Sequence, residues 1–102
     1  MSESVYWLSK QLKGKATFRV IDANCGELTT ATDKLVLYCP TTQEYEITVE
    51  VVKKAIARNA TLLPYPVGWC RASREAIEYG KTHNIRVLAM GAFFDEYIEQ
   101  KS

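Results

Sequence analysis

The sequence predicts one domain of the α/β or α+β class, with a small, mostly parallel sheet and helices packed on it. Its 102 residues suffice for one modest hydrophobic core. Short apolar segments alternate with amphipathic helical ones along most of the chain. Segments 35–63 and 61–88 also follow one plan: strand, loop with proline, helix opened by a hydroxyl residue, asparagine, strand. This alternation is typical of parallel strands that are joined by helices.

The internal similarity indicates two strand–helix–strand units within the one domain. It consists of four matched pairs: Thr48 with Ser73, Glu50 with Glu75, Asn59 with Asn84, and Leu63 with Leu88. A repeated unit of this kind predicts architecture, but it carries no chemistry.

The first third of the chain predicts a helix over 4–13, capped by Ser4 and stopped by Gly14. A strand over 16–21 follows. The polar segment 22–33 has two interpretations, a hairpin with its turn at 24–26 or a surface loop. The apolar run 35–38 predicts a central buried strand, which Pro40 ends.

Segment 44–51 is ambiguous, because its apolar residues alternate as in a strand while Thr48 is a suitable helix N-cap. The match with Ser73 favours a helix from Thr48, and a strand over 44–51 is the alternative. Further helices are expected from Ser73 to Asn84 and over 96–100, the last capped by Asp95. Strands are expected over 60–63 and 85–89, with a loop over 90–94.

Composition and charge indicate an ordinary globular protein. The net charge is +1, and 47% of residues are apolar. No apolar run approaches the ~20 residues of a membrane helix, and the start lacks the features of a signal peptide. We therefore expect a cytoplasmic protein with no membrane partner. Three cysteines form a poor disulfide framework, so we expect free buried thiols, with a Cys39–Cys70 bridge as the alternative.

No catalytic pattern is convincing. His83 is the only histidine and falls at a predicted helix end, where a cation favours the helix dipole. A restriction-type nuclease pattern built on Asp33 and Glu50 misses its lysine by one residue. Glu44, Glu46 and Glu50 could gather a divalent cation, but solvated acids near a helix start are more common. We expect no enzyme activity, no cofactor and no metal.

Basic residues occur in three small sets whose simplest interpretation is solvated helix faces. Nucleic-acid contact is the alternative interpretation. The sets are Lys10, Lys13 and Lys15; Lys53, Lys54 and Arg58; and Arg71 with Arg74.

Aromatic residues are concentrated in the loops where strands are followed by helices, the edge of a parallel sheet that binds ligands. Aromatic residues and arginine are enriched in binding surfaces. They predict a groove or a homo-oligomer interface, and completion of the core is the alternative. The predicted contact residues are Tyr65, Trp69, Arg71, Phe93 and Phe94.

The runs Ser4-Val5-Tyr6-Trp7-Leu8 and Tyr65-Pro66-Val67-Gly68-Trp69-Cys70-Arg71 give a resemblance to known sequences. With them the chain resembles the small proteins encoded by filamentous viruses of hyperthermophilic archaea, of the Acidianus filamentous virus kind. The resemblance implies an intracellular protein of an infected host living at high temperature. It supplies no catalytic residues.

The leading functional hypothesis is a non-enzymatic adaptor that binds a protein segment in a groove between its two similar halves. The alternative is a nucleic-acid-binding protein that uses Lys53, Lys54, Arg58, Arg71 and Arg74. A metal-dependent hydrolase or nuclease ranks third.

Overall fold

The protein has an α+β fold, in which helices cover a mixed sheet of five strands. The computed structural model describes residues 4–22, 24–29, 34–41, 44–68 and 70–98. The predicted fold class is confirmed.

The described residues form four helices and seven strands. The helices are α1 (Ser4–Leu12), α2 (Val49–Ala57), α3 (Arg74–Thr82) and α4 (Met90–Phe93), which continues as a π-helical turn over Phe94–Ile98. The strands are β1 (Thr17–Val20), β2 (Cys25–Thr29), β3 (Lys34–Tyr38), β4 (Glu46–Ile47), β5 (Leu62–Tyr65), β6 (Arg71–Ala72) and β7 (Arg86–Ala89).

The main sheet has the strand order β1-β2-β3-β5-β7. Its first two pairings are antiparallel and its last two are parallel. Strands β1 and β2 form a hairpin, so the hairpin interpretation of 22–33 is correct for its described part. Its turn comes earlier than predicted, because the Asp22 carboxylate accepts the backbone N–H groups of Asn24 (2.9 Å) and Cys25 (3.0 Å).

The parallel half is built from β3, α2, β5, α3 and β7 in chain order. Thr48 takes the extended N-cap conformation before α2, so the helix interpretation is correct, and only Glu46–Ile47 forms a strand. The Ser73 hydroxyl accepts the Ala76 N–H at 3.1 Å and caps α3. Asn59 and Asn84 follow the two helices with φ of 60° and 61°, the left-handed conformation that ends helices. The two-unit repeat itself stays a prediction.

Two buried clusters lie on opposite faces of the sheet, because successive strand side chains alternate between faces. The first cluster contains Ile47, Val52, Ala55 and Ala76 from the α2 and α3 side, with Cys25, Tyr38, Leu63 and Val87 from the strands. The second contains Val5, Leu8 and Leu12 of α1 and Met90 and Phe93 of α4, with Leu28, Leu37, Leu62 and Leu88 from the strands. Each face of the sheet therefore has its own helical cover.

The end of the chain departs from the sequence prediction. A loop over 90–94 and a helix beginning after Asp95 were expected, but α4 begins at Met90, directly after β7. Met90 and Phe93 are buried in the second cluster, and this packing outweighs the poor helix propensity of Gly91. Residues 99–100 of the predicted helix lie outside the described residues.

Candidate functional site

The structure separates the five contact residues that the sequence predicts. Tyr65 ends β5 half-buried against the first cluster, and Arg71 is exposed on β6. Phe93 is 0% exposed in the second cluster, and Phe94 packs on that cluster with its ring edge-on to Trp7 at 6.2 Å. Trp69 lies outside the described residues.

The five predicted residues therefore do not line one groove. Because the two clusters cover opposite faces of the sheet, Tyr65 does not share a surface with Phe93 and Phe94. Phe93 completes the second core and reaches no solvent in this conformation. Tyr65 and Arg71, by contrast, lie on either side of the turn that the Cys70 N–H closes on the Pro66 carbonyl at 3.0 Å.

A short parallel ladder between β4 and β6 organises this end of the molecule. Glu46 pairs with Arg71, and Ile47 pairs with Ala72. The Arg71 N–H donates to the Tyr45 carbonyl at 3.1 Å, and the Ser73 N–H donates to the Ile47 carbonyl at 3.0 Å. The ladder thus joins the segments that lead into α2 and α3.

The two most exposed large apolar residues of the described chain flank this ladder: Tyr45 (66%) directly precedes β4, and Val67 (67%) lies in the turn between β5 and β6. We call Tyr45, Tyr65, Val67 and Arg71 the ladder surface. Neither Tyr45 nor Val67 is among the contact residues that the sequence predicts. The alternation in 44–51 assigned Tyr45 to the same side as the buried Ile47, but β4 is too short to impose that alternation on Tyr45.

A second site, absent from the sequence predictions, is a polar cavity of about 610 Å³ near the end of β3. The Glu44 carboxylate, only 10% exposed, is among the groups that line it. It accepts hydrogen bonds from the Tyr38 hydroxyl (2.8 Å), the Thr41 N–H (3.0 Å) and Asn24 Nδ2 (3.3 Å), and it pairs with Lys54 Nζ (3.3 Å). The acid therefore ties β3 and the turn after β1 to helix α2.

The electrostatics of this cavity are those of a structural network. Burial, with the hydrogen bond to Glu44, raises the pKa of Tyr38 well above its usual value, so the phenol stays protonated at neutral pH. Arg58 forms an ion pair with Asp22, and its hydrogen bond lowers the pKa of that carboxyl. Lys54 and Arg58 are thus each matched by a carboxylate, and Tyr38 is not available as a general base.

The cysteines are free and buried, as the leading expectation held, so no Cys39–Cys70 bridge forms. Burial raises the pKa of the Cys25 and Cys39 thiols, and it raises that of Cys70 to about 11. A thiol nucleophile needs a lowered pKa, so these environments do not activate the sulfurs. His83 caps the end of α3, where the sequence predicted it, and its ring stacks on Tyr79.

The cations proposed for nucleic-acid contact on α2 are already paired. Lys53 lies 3.7 Å from Glu50, Lys54 pairs with Glu44, and Arg58 pairs with Asp22. The described residues contain no group of three or more His, Cys, Asp or Glu placed to hold a metal ion.

Comparison of the chain with protein-family models, with curated proteins and with solved structures gave no match. Within the described ranges, none of the helices has the length and apolar character needed to cross a membrane. The viral resemblance and its implied setting stay predictions.

Proposed function

We propose that the protein is a non-enzymatic interaction module, an adaptor that binds a protein segment at the ladder surface, between its two similar halves. One observation carries the proposal. Tyr45 and Val67 leave two thirds of their surfaces in solvent on segments that are otherwise tightly hydrogen-bonded. Exposed apolar side chains on a rigid frame cost little entropy when a partner covers them.

The one charged residue of the ladder surface, Arg71, indicates what the partner segment contains. Arg71 is exposed, and its guanidinium has no carboxylate partner among the described residues. A partner with an acidic residue beside an aromatic or aliphatic one would satisfy both the arginine and the apolar pair. The stiff Pro64-Tyr65-Pro66 stretch keeps the surface in place before binding.

The test is capture of a partner from a lysate of the cell that makes the protein, with and without nuclease treatment. The bait is the wild type, Tyr45→Ala/Val67→Ala, Trp69→Ala, or the control Ile21→Ala. Ile21 is 45% exposed and follows the edge strand β1. Loss of one aromatic anchor costs about 2 kcal/mol, or roughly 30-fold in affinity. We expect the double variant and Trp69→Ala to lose a protein that wild type and Ile21→Ala retain.

Two results would contradict the proposal. Equal capture by wild type and the Tyr45→Ala/Val67→Ala variant would remove the ladder surface from the interaction. If the captured protein is lost after nuclease treatment, and wild type and Trp69→Ala capture it equally without nuclease, the nucleic-acid alternative is favoured. Self-association lost in the same variants would show that the segment bound belongs to a second copy of the chain.

A further inference from the structure

A concentration of positive charge lies around α1 and the edge strand β1. Residues 4–21 contain Lys10, Lys13, Lys15 and Arg19 and no acidic residue, although the whole chain carries only +1. All four cations are exposed, and Arg19 alone has an acidic partner among the described residues, Glu27 at 3.6 Å. The three lysine ammonium groups are therefore available to an anion.

Lys10 and Lys13 border a preformed cleft between α1 and the edge strand β1, with a volume of about 520 Å³. Tyr6, Ser9 and Lys10 line it from the helix, Lys13 lines it from the turn after the helix, and Thr17 lines it from the strand. Tyr6, Ser9 and Lys10 are spaced i, i+3 and i+4, so they share one face of α1. We call this the basic cleft.

The basic cleft also carries an accessible aromatic ring. Tyr6 is 47% exposed, whereas the ring of the neighbouring Trp7 already contacts Phe94. A groove of unpaired cations with an exposed aromatic side chain is the arrangement that binds single-stranded nucleic acid, because phosphates pair with the cations and a base stacks on the ring.

From this arrangement we infer that the basic cleft binds a single-stranded polynucleotide, with phosphates on Lys10 and Lys13 and a base on Tyr6. Ser9 also lines the cleft, and its hydroxyl group can donate to phosphate or sugar oxygens. An anionic membrane fits less well. Insertion needs a free apolar helix face, but Val5, Leu8 and Leu12 of α1 are 0% exposed in the second core. The inference is independent of the ladder surface.

The experiment measures fluorescence anisotropy of labelled 12-nucleotide dT and rU probes between 50 and 300 mM salt. Each phosphate contact to a single strand contributes about 0.7 to the slope of log K against log salt. For Lys10→Ala/Lys13→Ala we expect the slope to fall by about 1.4 and affinity at 0.1 M salt to fall roughly 25-fold. Tyr6→Ala should weaken binding about five-fold or more with the slope unchanged.

The matched control is Lys53→Ala/Lys81→Ala, which removes two exposed lysines from α2 and α3 on the other side of the sheet. It should bind as wild type does, and circular dichroism checks that every variant is folded. Absence of binding at 50 mM salt, or equal losses in the two double-lysine variants, would overturn the inference. Binding to phosphatidylserine vesicles without binding to either oligonucleotide would also overturn the inference. Comparison of the two probes decides between DNA and RNA.

Discussion

Replacing Glu44 by alanine should destabilise the fold, because its largely buried carboxylate is the acceptor for several polar groups. The carboxylate is 10% exposed and accepts the hydroxyl of Tyr38, itself 3% exposed, and the N–H of Thr41. A buried donor left without an acceptor costs about 1–3 kcal/mol. Two such donors would lose their acceptor, and water entering the cavity would replace part of the lost hydrogen bonding. We therefore expect the free energy of unfolding to fall by about 2–4 kcal/mol.

Urea unfolding followed by circular dichroism measures this loss. Glu50→Ala is the matched control, because Glu50 is 79% exposed in its pair with Lys53 and should change stability by less than about 0.5 kcal/mol. Tyr38→Phe should cost about 1 kcal/mol, and the Tyr38/Glu44 double variant should lose less than the sum of the two single losses. A Glu44→Ala protein as stable as Glu50→Ala would refute the network account.

Four further predictions concern the fold. Burial raises the pKa of the Cys39 thiol above its ordinary value of 9.0, so the stability it contributes below pH 9 is lost as pH rises. Between pH 8 and pH 10, urea unfolding should show wild type losing about 1.4 kcal/mol more than Cys39→Ala. Gly80→Ala should cost about 1–3 kcal/mol in thermal melts, because its Cβ would lie 2.8 Å from the Ile85 carbonyl oxygen. Gly91→Ala, with no atom within 4 Å of the new Cβ, should gain about 0.5 kcal/mol. Asn84 has φ of 61°, a left-handed conformation that alanine adopts less readily than asparagine or glycine. Asn84→Ala should therefore lower the free energy of unfolding in urea by about 1 kcal/mol, and Asn84→Gly should lower it less.

Local signals in the sequence were enough to predict most of the helices and strands. Ser73 and the two asparagines mark real helix ends, and the apolar runs 35–38, 60–63 and 85–89 overlap β3, β5 and β7. The sequence allows two interpretations of β2, a hairpin strand or a loop, because Cys25–Thr29 mixes glycine and glutamate with apolar residues. The segment forms a strand because it pairs with β1 and with β3. Its identity depends on partners distant in sequence.

The candidate sites were harder to predict, because their members depend on which face of the sheet each side chain occupies. Tyr65 and Phe93 fall in similar loops of the sequence, yet they pack on opposite sides of the sheet. The Glu44 network joins residues from Asn24 to Lys54, which only the folded chain brings together. Spacing in the sequence carries no signal for such contacts.

Site-specific photocrosslinking in the cell that makes the protein tests the interaction proposal most directly. A photoreactive phenylalanine analogue is placed at Tyr45, at Val67 or, as the control, at Ile21. The account predicts a defined protein adduct from positions 45 and 67 and none from position 21. Adducts from position 21 alone, or no protein adduct from 45 and 67, would contradict it.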